Sequence, residues 1–247
     1  MLLIIDNELK KVKPIDGINE GSYGKCFKYN DGVLKVFFNS NIFNEKEKLI
    51  RENINNSKGI IISDISFPID IKDVLGYKFS YTMPFIDGIS MDEIIKKIIY
   101  DDYDISFEDL IKIYNNSLLK IKEISEYGIK TDDIMMRNCK VKEDFSFGIV
   151  DVDFFRKIDS LNNEIYNTNL HNINKLFFYF LLEAINNRKY VCSGNKYYNY
   201  VISDFDDYLK ILKGVSLDSK CYVDDVLYEL ASKKNVNTIG KLIYKYK

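Results

Sequence analysis

The sequence predicts an α+β protein in which a small β-rich part precedes a larger helical part. Three observations carry this. All three prolines (Pro14, Pro68, Pro84) fall within the first 84 of 247 residues, so the two parts are built differently. β-Favouring runs and a tight-turn signal occupy that first stretch. From Ser90 onward apolar residues recur at helical spacing behind helix-start signals. The expected division is residues 1–86 and 87–247.

In order along the chain, Phe27–Tyr29 and Val33–Phe38 read as strands joined by the turn Asn30-Asp31-Gly32. Ile42–Ile54 reads as a charged amphipathic helix, and Gly59–Ile62 and Tyr77–Met83 as further strands. Ser90 with Glu93 forms a capping box, with Ile89 and Ile94 as its hydrophobic staple. Ser106 with Asp109 resembles a second box, stapled by Ile105 and Leu110. The helix behind it sets Leu110, Tyr114, Leu118, Ile121 and Ile124 on one face. A strand-like stretch, Asn138–Phe155, follows. Leu170–Ile185 is apolar almost all round, which predicts a buried central helix, with Phe177-Phe178-Tyr179-Phe180 as core.

Composition removes several function classes. With 35 Lys+Arg against 37 Asp+Glu the chain lacks the basic excess of a nucleic-acid binder. The four cysteines (Cys26, Cys139, Cys192, Cys221) are scattered, and His171 is the only histidine. That removes the usual Cys/His zinc sites, and any histidine-based hydrolase that does not use His171, for which a structural or surface role is expected. No apolar run approaches bilayer length, so no membrane span is expected, and Met1–Asp6 does not read as a signal peptide. A reduced, cytoplasmic, soluble protein is expected; secretion as an effector without a classical signal is the alternative. The acidic runs Asp101–Asp104 and Asp204–Asp207 lack the glycine and terminal glutamate of an EF-hand loop, and read as exposed loop charge.

Chemistry is suggested by four segments. Glu20-Gly21-Ser22-Tyr23-Gly24 lies between candidate strands, where missing Cβ atoms let backbone N–H groups approach phosphate oxygens; the alternative is a plain hairpin turn. Lys35 sits among apolar neighbours in Val33–Phe37, and a buried ammonium needs an anionic partner; the alternative is an edge lysine facing water. Glu45, Glu47 and Glu52 lie on the helix that follows; Glu45, expected on the inward face beside Ile42 and Leu49, and Glu47 are candidates for that partner, the alternative being that all three are solvated charges. Finally, Asp133 stands five residues before Asn138, and Ile149-Val150-Asp151-Val152-Asp153 follows. In that order one carboxylate can orient a hydroxyl while the Asn oxygen and a second carboxylate bind a hard divalent cation.

Taken together, these segments resemble the protein-kinase-like superfamily, in its minimal bacterial type, over about residues 15–185. The parts are Gly21-Ser22-Tyr23-Gly24, Val33-Leu34-Lys35, Glu45 or Glu47, Asp133 to Asn138, and Asp151-Val152-Asp153. The resemblance implies a bilobal fold, with a β-rich N-lobe at 1–86 and a helical C-lobe at 87–247. It also implies ATP and Mg²⁺ as cofactors. Gly21, Ser22 and Gly24 would cover the phosphates, and Lys35 would hold them while paired with a helix glutamate. Asp133 would take the substrate hydroxyl's proton, and Asn138, Asp151 and Asp153 would ligate the metal. Met83, Pro84 and Ile86 would line the adenine site, with Met83 as gatekeeper, and Cys26 would roof it. Arg137, four residues after Asp133 as in tyrosine kinases, could neutralise transferring charge.

Departures from the family pattern shape what is implied. Thr131-Asp132-Asp133 replaces H-R-D, leaving no arginine there to receive an activating phosphate. Asn19 stands for the first loop glycine, and Asp153 for the glycine of D-F-G, as in aminoglycoside- and choline-kinase-like members. No proline follows Pro84, so there is no A-P-E motif. Lys140 occupies the place of an apolar adenine-floor residue, its stem serving in that role. The implied function is transfer of the ATP γ-phosphoryl group to a hydroxyl, with a protein acceptor slightly favoured over a small molecule. The alternatives are a pseudokinase that binds nucleotide or partners without turnover, and a kinase-fold enzyme that transfers AMP.

Overall fold

The computed structural model describes residues 1–15, 23–100, 103–186, 223, 227–228 and 235–245. It is a mixed α+β chain. β1 (Leu2–Ile5) and β2 (Glu8–Lys11) form a hairpin, followed by β3 (Lys13–Pro14), β4 (Gly24–Tyr29), β5 (Gly32–Phe37) and helix α1 (Asn41–Ser57). Next come β6 (Asp70–Ile71), β7 (Phe79–Pro84), β8 (Ile89–Ser90), α2 (Met91–Tyr100) and α3 (Phe107–Glu126). The remainder is β9 (Ile129–Lys130), a 3-10 turn at Met136–Asn138, β10 (Cys139–Val141), β11 (Phe147–Ile149), β12 (Arg156–Lys157), α4 (Asn162–Asn186) and α5 (Ile239–Lys245). Among the described residues no helix is long and apolar enough to cross a membrane.

The chain divides into two compact units, and the division is not a single cut after residue 86. The first unit takes Met1–Asp87 together with Glu123–Asp133 and Gly148–Ile165; the second takes Gly88–Lys122, Ile134–Phe147 and Tyr166–Lys247. The two later segments belong to the first unit because their backbones are bonded into it. Ile149 forms a parallel bridge with Ile65, its N–H donating to the Asp64 carbonyl (2.8 Å) and its carbonyl accepting from Ser66 N–H (2.9 Å). β9 and β12 pair with each other, Lys130 opposite Arg156.

The frame of the first unit is an antiparallel sheet in the order β3-β4-β5-β7-β6. β5 is central and buried on both faces, so its residues sort by parity. Leu34 and Val36 pack with Ile5, Val12, Phe27 and Val74 on one side. Val33 and Phe37 face α1 on the other, in a cluster with Phe43, Ile50 and Phe79. Phe37 stacks on Phe43 at 4.9 Å between ring centroids and on Phe79 at 5.8 Å. Such pairs contribute about 0.5–1.5 kcal/mol each beyond area burial. Lys35 has the parity of Val33 and Phe37, so it enters this apolar face.

α1 begins at Ser40, whose hydroxyl accepts the Phe43 N–H (3.2 Å), and ends where Gly59 adopts φ +81°. Its buried stripe is Phe43, Ile50, Asn53, Ile54 and Ser57, while Ile42 and Leu49 are exposed. The helix is therefore rotated from the orientation expected, and Glu45 faces water. The strand expected at Gly59–Ile62 does not form. The left-handed Gly59 turns the chain out of the helix, Ile61 is left exposed, and the sheet-edge position goes to β6.

In the second unit, α3 and α4 meet through Tyr114 and Phe177, edge to face at 5.2 Å, and Tyr114 donates its hydroxyl to Asn174 Oδ1 (2.7 Å). The buried face of α3 is Leu110, Ile113, Tyr114, Ser117 and Ile121, with Leu118 only half-buried. Ser117 is tolerated inside because its hydroxyl donates to the Tyr114 carbonyl (2.6 Å). The Ser106–Asp109 box forms: Asp109 N–H donates to Ser106 Oγ (3.0 Å) and Ser106 Oγ donates to Asp109 Oδ2 (2.7 Å). At the start of α2, Ser90 instead bonds the Asp92 carboxylate. Asp104 accepts the N–H groups of Ile105 (2.8 Å) and Gly240 (2.7 Å), which ties it to the start of α5. On α4, Leu176, Phe177, Phe178, Phe180, Leu181 and Ala184 are buried, and His171 is exposed. Asp101, Asp102, Asp204–Asp207, Cys192 and Cys221 lie outside the described residues.

Glu183 is an acidic residue set among these buried positions of α4. Its Oε2 is buried without a hydrogen-bond partner among the described residues, and burial, with the Asp92 charge adding to it and Lys96 opposing, pushes the carboxyl up to about 7. A carboxyl whose folded pKa is raised holds its proton longer in the folded state than in the unfolded state. Stability should therefore fall as pH rises from 4.5 to about 7 and stay low above that. Glu183→Gln should flatten that slope and raise stability at pH 8 by on the order of 1 kcal/mol, the side chain's partial solvent access having been discounted. Urea unfolding of both proteins at pH 5 and pH 8 measures the difference, and equal slopes would exclude Glu183 as its source.

Candidate active site

Within the first unit, one ammonium group gathers residues that are far apart in the sequence. Lys35 on β5 donates to the carboxylates of Asp151 and Asp153, 116 and 118 residues away. Asp153 is almost fully buried at 2% side-chain exposure, whereas Asp151 is 45% exposed. The second oxygen of Asp153, Oδ1, accepts the hydroxyl of Tyr81 on β7 (2.6 Å), and its backbone carbonyl accepts Asn53 Nδ2 of α1 (2.9 Å). Tyr81 lies directly opposite Lys35 in the β5–β7 register, so the sheet itself sets that donor beside the lysine.

The carboxylates are presented by a tight turn. Asp151 has φ +62°, a conformation rarely adopted by a residue with a side chain, and the Phe155 N–H then donates to the Val152 carbonyl (2.9 Å). Val152 and Phe155 are buried, Phe155 packing edge-on to Phe67, so apolar anchors flank the acids. Asp133, on the same unit, has φ +63°. Its predecessor Asp132 accepts from Arg156 Nε, with Lys130 Nζ at 3.6 Å, which ties this segment to the β9–β12 pair.

Electrostatics follow from burial. Burial alone lowers the Lys35 pKa, but the charges of Asp151 and Asp153 outweigh it and hold the ammonium well above its ordinary value. Asp153 lies above the usual carboxylate range because burial exceeds the effect of Lys35. The Tyr81 hydroxyl is raised by burial and by the Asp153 charge, so it remains a donor. Cys26, cross-strand from Lys35, is pushed up to about 11 by burial, which makes it a packing thiol rather than a nucleophile.

The residues expected at the site are distributed unequally. Lys35, Asp151 and Asp153 come together. Neither expected helix glutamate reaches Lys35: Glu45 is exposed, and Glu47 pairs with Arg51 (2.8 Å) and Lys78 (3.5 Å). The residue α1 sends to the cluster is Asn53. Met83 is buried in the α1-facing core, paired with Val33; Pro84 ends β7 opposite Gly32, and Ile86 is buried. Arg137 and Asn138 belong to the second unit, Arg137 exposed on the 3-10 turn, and Asn138 buried with its N–H donating to the Met135 carbonyl (2.9 Å). Lys140, half-buried, pairs with Ser90 in that unit. Asn19, Glu20, Gly21 and Ser22 lie outside the described residues.

Tyr23, at the described end of the glycine segment, meets Lys46 of α1, which donates to its hydroxyl (3.0 Å) and also lies 5.1 Å from the Phe154 ring centre. Asp151 is the half-exposed carboxylate of the cluster and offers the hard oxygen a magnesium ion prefers, whereas both oxygens of Asp153 are engaged by Lys35 and Tyr81. Among the described residues no group of three or more His, Cys, Asp or Glu is arranged to hold a metal ion. Tyr81 and Asn53 were missed by sequence reasoning. The available signal for Asn53 was a polar residue on the Phe43–Ile50–Ile54 stripe. In comparisons with known proteins, no family model and no curated protein matches this chain.

Gly24 is where the glycine segment rejoins the sheet. A Cβ there would sit 1.9 Å from the Val36 carbonyl oxygen, so this glycine is required by strand approach within β4–β5. Gly24→Ala should cost about 1–3 kcal/mol in denaturant unfolding, in the manner of other overpacked positions. A loss below 0.5 kcal/mol, roughly the scatter of surface changes, would mean that the strands part without strain.

Proposed function

We propose that the protein is an ATP-dependent phosphotransferase that moves the γ-phosphoryl group to a hydroxyl, with Mg²⁺ as cofactor. The observation that carries this reading is the strand lysine Lys35 held by Asp151, a half-exposed acid in left-handed conformation that follows a short strand. A fixed ammonium beside a cation-binding carboxylate is the pairing that phosphoryl transfer uses to neutralise triphosphate charge. Asp133, which like Asp151 has a left-handed backbone, would orient the acceptor hydroxyl, and Asp151 would hold the metal. The metal would neutralise charge on the phosphates. A protein acceptor remains slightly favoured over a small molecule.

A pseudokinase is the second reading, favoured by one specific observation: Lys35 is already bonded to two carboxylates, which compete with phosphate oxygens for its protons.

Incubation with Mg²⁺ and γ-labelled ATP, with casein or a panel of small alcohols as acceptors, should give label transfer. Asp133→Ala should reduce it about 100-fold or more, the usual contribution of a positioned general base. Transfer that survives unchanged in Asp133→Ala would remove that residue from the mechanism. Nucleotide binding by calorimetry with no label transfer to any acceptor would favour the second reading, and transfer from α-labelled ATP would indicate AMP transfer instead.

A further inference from the structure

We propose that Asp153 is the positioning residue of Lys35: it fixes the ammonium from within the Asp151–Phe155 turn and is not a metal ligand. Its two carboxylate oxygens are divided between Lys35 Nζ and the Tyr81 hydroxyl. Its side chain is 2% exposed, so a hydrated cation has no approach that leaves both bonds intact. Its backbone carbonyl is held by Asn53, which makes α1 a support for the turn. The acids of α1 are committed elsewhere or exposed, Glu47 to Arg51 and Lys78, and Glu45 and Glu52 to water.

The consequence is mechanical. A counter-ion placed on a separate helix lets the lysine be released when that helix swings. Here the counter-ion stands two residues from Asp151, in the hydrogen-bonded turn Val152–Phe155 that follows it, so lysine and exposed acid are located by one short segment. The hydrogen bond that α1 makes to that segment comes from the uncharged amide of Asn53 and goes to a backbone carbonyl. Tyr81 completes the arrangement from the neighbouring strand: it takes the oxygen that Lys35 does not use and so fixes the plane of the carboxylate.

The kinetic part of this inference rests on the phosphotransferase reading, so the first readout is independent of activity. Nucleotide-free wild type, Asp153→Asn and Tyr81→Phe are exposed to acetic anhydride at a fixed pH, and acetylation of Lys35 is followed by mass spectrometry, with exposed Lys48 as internal reference. An ammonium clamped between two carboxylates in an apolar face is withheld from the reagent. Releasing it should raise Lys35 acetylation about tenfold or more in Asp153→Asn and several-fold in Tyr81→Phe, with Lys48 unchanged. Lys35 rates within about twofold of wild type in both variants would overturn the proposal. If Asp153→Asn does not fold, Tyr81→Phe decides alone on the same criterion. The second readout is the Mg²⁺ concentration that half-saturates phosphoryl transfer. It should stay within about twofold in Asp153→Asn while kcat falls, and a rise of about tenfold or more would make Asp153 a metal ligand and sink the proposal. Absence of transfer in wild type would defeat the proposed function while the acetylation result still decides the role of Asp153.

Discussion

A lysine side chain placed in an apolar sheet face is the constraint around which the first unit is arranged. Burying an ammonium without a partner costs several kcal/mol, and the cost is offset only by excellent geometry with opposite charge. β5 puts Lys35 between Val33 and Phe37, facing α1 with the aromatic cluster, where the chain's own water-facing acids cannot follow. The turn carrying Asp151 and Asp153 supplies the compensation. Two charges about 4 Å apart attract by about 4 kcal/mol at an effective dielectric near 20, which is of the size needed to offset that cost. The parallel bridge at Ile149, the buried Val152 and Phe155, and the Tyr81 hydroxyl all serve to hold the carboxylates at that point.

Helix α1 illustrates how a packing requirement overrides a charge pattern. Its many acids and lysines suggest a direct ionic contribution to the site, yet the rotation of the helix is set by Phe43, Ile50 and Ile54, which must meet Phe37 and Phe79. With that face buried, Glu45 turns to water, and Glu47 joins Arg51, whose guanidinium lies 4.2 Å from the Phe79 ring centre. The polar residue left on the inward face is Asn53. An amide can be buried cheaply if its donor finds a carbonyl, and the Asp153 backbone provides one. The helix therefore supports the turn through a neutral hydrogen bond, and the negative charge stays with Asp153.

Some of the fold was legible because it is written locally. The Asn30-Asp31-Gly32 turn, the β5 run, the Ser106–Asp109 box and the apolar α4 segment each depend on residues within a few positions of one another, and all four occur. The β1–β2 hairpin was equally local but overlooked: Asp6 and Asn7 carry φ values of +49° and +66°, the two-residue loop that Asp and Asn favour. Gly59–Ile62 failed in the other direction. Its residues favour strand, but a strand needs a neighbour with free ladder positions, and β6 occupies the edge of the sheet.

The sequence by itself set Lys35 among apolar neighbours, where an anionic partner or an edge position facing water was open, and it placed acids at Asp133, Asp151 and Asp153 and an apolar-then-acidic stretch after a long helix. It could not determine which acid the lysine takes. The choice among Glu45, Glu47, Asp151 and Asp153 is made by the register of β5 against β7, the rotation of α1 and the docking of a turn more than a hundred residues away. Each of these is fixed by packing of many side chains at once. Charge pairing is short-ranged compared with those dimensions, so tertiary structure alone decides which carboxylate comes within a hydrogen bond of the ammonium.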